Sequence, residues 1–157
     1  MSAVANQIIG AVISTIGAVV AVFITDWVRN RRKATNDIPA RLRTDRDYAN
    51  NRSKTIQSAL TAATGAPFIA SKAMRFDIQS YQQLVSEAFS HLKPEQRKQL
   101  ANITFAMSEA DNANAETLRL SDLTTGSVVE NGARREQAML GRVHDLIDAY
   151  FRSKRGE

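Results

Sequence analysis

Arginine is the residue type in this chain best placed to do chemistry. Between residues 29 and 54 stand nine basic side chains against three acidic ones, a surplus of six positive charges in 26 residues. From residue 55 onward the two signs balance, twelve of each, so the net charge of +5 belongs to the basic segment. A guanidinium fork matches the oxygens of a phosphate, so Arg41, Arg43 and Arg46 suggest recognition of a phosphate-bearing ligand. On a helix, Arg43 and Arg46 are i,i+3 neighbours, and Arg41 is turned from both by about 160–200°. One helix therefore aims only Arg43 and Arg46 together. A symmetric oligomer would gather copies of that pair around an axis. Arg134, Arg135 and Arg142 are candidates to converge on the same site. The ligand-binding set read from the sequence is Arg43, Arg46, Arg134 and Arg135, and its ligand is a nucleotide or oligonucleotide messenger. The competing reading is a solvated helix face on which Arg41/Asp45 and Arg43/Asp47 pair at i,i+4.

Other chemistry has little support. His91 and His144 are 53 residues apart, neither belongs to an H-x-x-x-H or E-x-x-H pair, and the chain has no cysteine. The residues for a zinc site or a disulfide framework are therefore missing. No G-x-S-x-G elbow and no Gly-rich phosphate loop occurs. The expectation is a protein that is not an enzyme and that carries no metal or cofactor.

The basic segment follows a long apolar stretch. Residues 1–25 contain no charged side chain, and residues 8–28 are long enough to cross the hydrocarbon core of a bilayer as one helix. No Lys or Arg precedes the apolar run, and Asp26, Trp27 and four basic residues among positions 29–33 follow it. That pattern fits a retained anchor better than a cleaved signal peptide. The one-sided basic cluster places the N-terminus outside and the C-terminal domain in the cytoplasm, at the cell inner membrane. Ala3, Gln7, Gly10, Ser14, Gly17 and Ala21 repeat at alternating spacings of four and three. Their small side chains would let anchors pack closely in lipid. Gly10, Ser14, Gly17 and Ala21 are thus the candidate seam of a homo-oligomer, with the lipid bilayer as the second partner.

Three divisions follow: 1–28 a transmembrane anchor, 29–38 a basic juxtamembrane linker or frayed helix end, and 39–157 a cytoplasmic helical domain. Pro39 suits the first turn of a new helix. That helix runs to about residue 64, thinly striped, with a break at Asn50-Asn51 as the alternative. Thr64-Gly65-Ala66-Pro67 is a breaker. Met74, Ile78, Tyr81, Val85, Ala88, Phe89 and Leu92 then recur at helical spacing. Lys93-Pro94-Glu95 restarts the chain, and Leu100, Ile103, Met107 and Ala110 make the next stripe. Residues 121–127 read as a loop, with a small hairpin around it as the alternative, and Gly132 weakens any helix through Val128. From about Arg134 a last helix carries Met139, Leu140, Val143, Leu146, Ile147, Tyr150 and Phe151. Its basic tail, Arg152, Lys154 and Arg155, complements the helix dipole. The fold class is all-α: one N-terminal transmembrane helix followed by a small cytoplasmic helical bundle. Its expected core is Ile78, Val85, Phe89, Ile103, Met107, Val143, Ile147 and Phe151.

In this organisation the chain resembles the small membrane-anchored effectors of bacterial antiphage systems, in particular those of type III CRISPR immunity. The resemblance implies a cytoplasmic domain that senses cyclic oligoadenylate and an oligomer that perturbs the membrane. It rests on layout, so no functional residue is carried over. The same layout fits a structural or scaffold subunit of a larger membrane assembly, a phage membrane protein, or a holin-like pore former.

Overall fold

The computed structural model describes residues 20–62, 70, 72–73, 75–124 and 126–155. These are all-α, with no strand among them. Helix α1 covers 20–32 and passes without a break through a π turn, Lys33–Asp37, into α2, Ile38–Ala62. A short α3, Ile78–Glu87, ends in a 3₁₀ turn, Phe89–His91. Two long helices follow, α4, Pro94–Leu123, and α5, Ser127–Arg155.

Helix α5 is the axis of the bundle. Val129, Ala133, Glu136, Leu140, Val143, Ile147 and Tyr150 are buried along it at alternating steps of four and three. That is the spacing of a heptad seam. Leu100, Ile103, Met107 and Ala110 answer from α4, and Ile38, Leu42, Ala49 and Ile56 from α2. Contacts between Arg142 and Glu109, and between Ser153 and Gln99, run α5 antiparallel to α4. Contacts from Arg46 to Asp148 and from Arg52 to Glu136 run it antiparallel to α2. The C-terminus of α5 therefore lies beside the start of α2.

Several sequence expectations change. The stretch read as a linker or frayed end, 29–38, is helical. Pro39 does stand in the first turn of α2, but α2 continues from α1 through the π turn, which admits a ring that an unbroken α-helix would reject. Asn50 and Asn51 do not break α2, because α2 is held by packing on α5 rather than by its own propensity. The loop at 121–127 shrinks to a turn around Gly126, whose φ of +80° suits glycine. Leu118 and Leu120 are in α4 and Val128 in α5, so no hairpin forms there.

Gly132 sits inside α5 because α4 comes too close for a side chain. A Cβ there would lie 2.8 Å from Thr117 Oγ1, whose hydroxyl donates to the Ala113 carbonyl at 2.8 Å. Gly141 faces open space. Gly141→Ala is expected to stabilise the fold by about 0.4–1 kcal/mol. Gly132→Ala is expected to lose stability despite the same gain in propensity. Urea unfolding of the two variants checks this: a rise in midpoint for both would mean that Thr117 yields.

The core is also redrawn. Ile103, Met107, Val143 and Ile147 are fully buried, whereas Ile78, Val85 and Phe151 are only partly covered and Phe89 is 51% exposed. For Phe89 the cause is local: α3 stops at Glu87, and the tighter 3₁₀ turn swings Phe89 outward while Ala88 and Leu92 enter the core.

No helix among the described residues is long and apolar enough to cross a membrane. Most of the stretch read as a span, including Gly10, Ser14 and Gly17 of its seam, lies outside the described residues. From Val20 to Val28 the chain is helical, and Val20, Val22, Phe23, Ile24, Trp27 and Val28 are exposed, as is Ala21.

Candidate functional site

Antiparallel packing of α5 on α2 creates a groove of about 890 Å³ where the C-terminal turns of α5 meet the α1–α2 junction. Arg43 and Arg46 line it from α2, with Arg152, Lys154 and Arg155 from α5. Asp148 is the one acidic residue in the lining. Thr35, Asn36, Pro39 and Phe151 complete the walls.

The cations are held differently. Arg46 is partly neutralised: its Nη1 donates to Asp148 Oδ1 at 3.1 Å and its Nη2 to Asp47 Oδ1 at 3.5 Å. Arg43 makes no ion pair among the described residues. Its guanidinium carbon lies 5.5 Å from the centre of the Phe151 ring, a cation–π contact that leaves the N–H fork available. Arg152 is exposed, also without an ion pair among the described residues. Lys154 Nζ donates to the Thr35 carbonyl at 3.1 Å. Burial, and then the charge of Arg43, hold the Lys154 ammonium below the usual lysine range. At Arg43, Arg152 and Lys154 the positive charge is thus not cancelled by a carboxylate among the described residues. A phosphate-bearing anion would be drawn to such a place.

The structure thus brings Arg43 and Arg46 together and sets Arg41 apart. Arg41 turns toward α3, with Nε 3.2 Å from Asp45 Oδ2 and Nη2 4.0 Å from Asp77 Oδ2. The expected Arg43/Asp47 pair is replaced by Arg46/Asp47. Arg134 and Arg135 do not join the groove. They lie near the other end of α5, roughly 25 Å along the helix from Arg152. Arg134 is exposed, and Arg135 donates to Glu116 at 3.0 Å. Arg142 pairs with Glu109 at 3.1 Å, toward α4. The members that sequence reasoning missed are Arg152, Lys154 and Arg155. Their clustering was visible, but their direction depends on how α5 packs.

Toward the other end of α5 a buried polar chain fixes the helices. Arg52 Nε donates to Glu136 Oε1 at 3.0 Å, and Asn114 Nδ2 donates to Glu136 Oε2 at 3.1 Å. Asn114 Oδ1 in turn accepts from the Ala73 amide at 3.3 Å. Asp45 is buried too. Burial raises its carboxyl above the ordinary value, and Arg41 opposes that rise.

There are further concavities among the described residues. An apolar one of about 630 Å³ between α3 and α4 includes Phe89, Phe105 and Leu100, with the Arg97 guanidinium 3.9 Å from the centre of the Phe89 ring. Another lies where α1 meets the 3₁₀ turn, with Trp27 edge-on to His91 at 5.6 Å between ring centres. His144 lies beside Asp145 and Asp148. Among the described residues no group of three or more His, Asp or Glu side chains is placed to hold a metal ion.

No known protein family, no curated protein and no solved structure matches this chain.

Proposed function

We propose that this chain is a non-enzymatic, single-span membrane protein that self-associates through its anchor and binds a phosphate-bearing anion in the groove between α2 and α5. The observation that carries the reading is the groove's lining of five cations against one carboxylate. Its position adds to it. The groove opens at the end of the bundle where α1 enters, and the exposed apolar residues from Val20 to Val28 lead from there toward the apolar N-terminal sequence. Arg43 and Arg46 supply forks that fit phosphate oxygens, and a nucleotide or short oligonucleotide offers several such groups. An antiphage effector that senses such a messenger is one setting for this chemistry.

A scaffold subunit is the second reading. The apolar concavity between α3 and α4 supports it, because Phe89 and Phe105 are 51% and 59% exposed there.

Titration calorimetry on the full-length protein in detergent, with a short single-stranded oligonucleotide at low salt, separates the two. Arg43→Gln and Arg152→Gln are each expected to weaken binding about tenfold or more, the worth of one charge-assisted hydrogen bond. Each is also expected to flatten the salt dependence, by about 0.7 in log–log slope for every phosphate that is no longer neutralised. Arg134→Gln and Arg135→Gln are expected to change little. Equal effects from all four, or no binding at all, would remove the groove from the reading and leave the scaffold in its place.

A further inference from the structure

Lys154 belongs to two structures at once. It lines the groove, and its ammonium donates to the Thr35 carbonyl inside the π turn that joins α1 to α2. In a regular α-helix that carbonyl would accept from the amide four residues on. That residue is Pro39, which has no N–H to give. An α5 side chain thus donates to a carbonyl whose i+4 amide is missing. The turn is also the looser part of that helix. Its bonds run from residue i to i+5, as in Ile38 N–H to the Lys33 carbonyl, and such geometry is rare and often marks functional positions.

Two further contacts hold this region to the bundle. Lys33 pairs with Glu87 at the end of α3, and Trp27 packs edge-on to His91. Neither lies in the groove. Of these three, only the Lys154 contact is exposed to competition from a ligand bound there. A phosphate oxygen is a stronger acceptor for an ammonium than a neutral carbonyl is. Lys154 also faces the charge of Arg43, which an anion between them would offset.

We infer that the groove and the α1–α2 junction share Lys154, so that a phosphate-bearing anion in the groove draws its ammonium off the Thr35 carbonyl and changes the angle at which α1 leaves the bundle. This rests on the anion-binding reading of the groove and adds its regulation: occupancy is reported to the helix that leads to the anchor. By linkage, whatever satisfies the Thr35 carbonyl in another way must also change the affinity for the anion.

The test uses the full chain and inorganic pyrophosphate as probe. The chain has no cysteine, so Val22→Cys and Ala138→Cys, both at exposed positions, give a clean pair of spin labels on α1 and α5. Pyrophosphate is expected to shift the label-to-label distance distribution of the doubly labelled protein. Lys154→Met is expected to show the shifted distribution with no pyrophosphate present, and to bind the probe more weakly. Pro39→Ala restores an amide to the Thr35 carbonyl and frees Lys154. It is expected to bind pyrophosphate about threefold to tenfold more tightly and to show no shift on binding. Binding with an unchanged distance distribution, or unchanged affinity in Pro39→Ala, would overturn the coupling and leave the groove standing. Absence of pyrophosphate binding in the parent protein would overturn both.

Discussion

Arg52→Ala is expected to cost about 3–5 kcal/mol of folding stability, a large share of what a small domain has. The Arg52 and Glu136 side chains are only 12% and 3% exposed, and they meet across the α2–α5 contact at 3.0 Å. Glu136 occupies a position of the α5 seam otherwise filled by Val, Ala, Leu, Ile and Tyr. Truncating Arg52 would strand a carboxylate there with Asn114 as its remaining donor in the Arg52–Glu136–Asn114 chain. Removing both charges is a different experiment. Arg52→Met with Glu136→Leu would replace a buried pair by apolar volume, and such exchanges are often neutral or stabilising. The double variant is therefore expected to recover most of what the single one loses. The exposed Arg142–Glu109 pair supplies the contrast: Arg142→Ala is expected to cost less than about 1 kcal/mol. Urea unfolding followed by far-UV circular dichroism measures all three. A loss below about 1 kcal/mol for Arg52→Ala would mean that the carboxylate reaches water or another donor, and that the network is not the clamp described.

The contrast between Arg52 and Arg43 shows what the sequence can and cannot reveal. That Arg43 and Arg46 share one helix face follows from a spacing of three residues and needs no tertiary information. Their meeting with Arg152, Lys154 and Arg155 requires knowing that α5 runs antiparallel to α2, which no local pattern states. The Arg52–Glu136 pair is hidden for the same reason, its members being 84 positions apart in the chain. The apolar half of the α5 stripe was legible, since Leu140, Val143, Ile147 and Tyr150 recur at helical spacing. Its first half was not, because Ala133 and Glu136 carry no apolar signal and Gly132 argues against a helix unless the close approach of Thr117 is known. At Pro39 the local rule gave the right place, the first turn of α2, but not the continuity with α1. The ring does disrupt an α-helix, but here the disruption takes the form of a π turn within a continuous path, with a donor from α5 standing in for the missing amide.

Tyr81 and Phe89 give the second large effect, and the two aromatic residues of this region are expected to behave in opposite ways. They fall on one apolar stripe when the sequence is read as a single helix. In the structure Tyr81 is 1% exposed on the inner face of α3, while Phe89, beyond the end of α3, is half in solvent. Tyr81→Ala would empty an aromatic ring's volume from the core where α3 meets the rest of the bundle, and is expected to cost about 3–5 kcal/mol. Phe89→Ala would remove a half-exposed ring that carries the Arg97 guanidinium over its face, and is expected to cost about 1 kcal/mol. The ring rather than the hydroxyl should carry the Tyr81 effect. The Tyr81 hydroxyl is buried without a hydrogen-bond partner among the described residues, as is that of Tyr150. Burial, then Tyr150 and Asp45, push its ionisation far above the ordinary phenol range, so it stays neutral at any pH at which the protein is studied. Tyr81→Phe is therefore expected to leave stability unchanged or to raise it by about 1 kcal/mol, the cost of an unsatisfied buried group being relieved. Unfolding midpoints of the three variants decide the matter. A loss at Phe89 equal to that at Tyr81 would place Phe89 in the core and α3 a full turn longer than observed. A loss in Tyr81→Phe would mean that the hydroxyl has a partner that holds α3 in place.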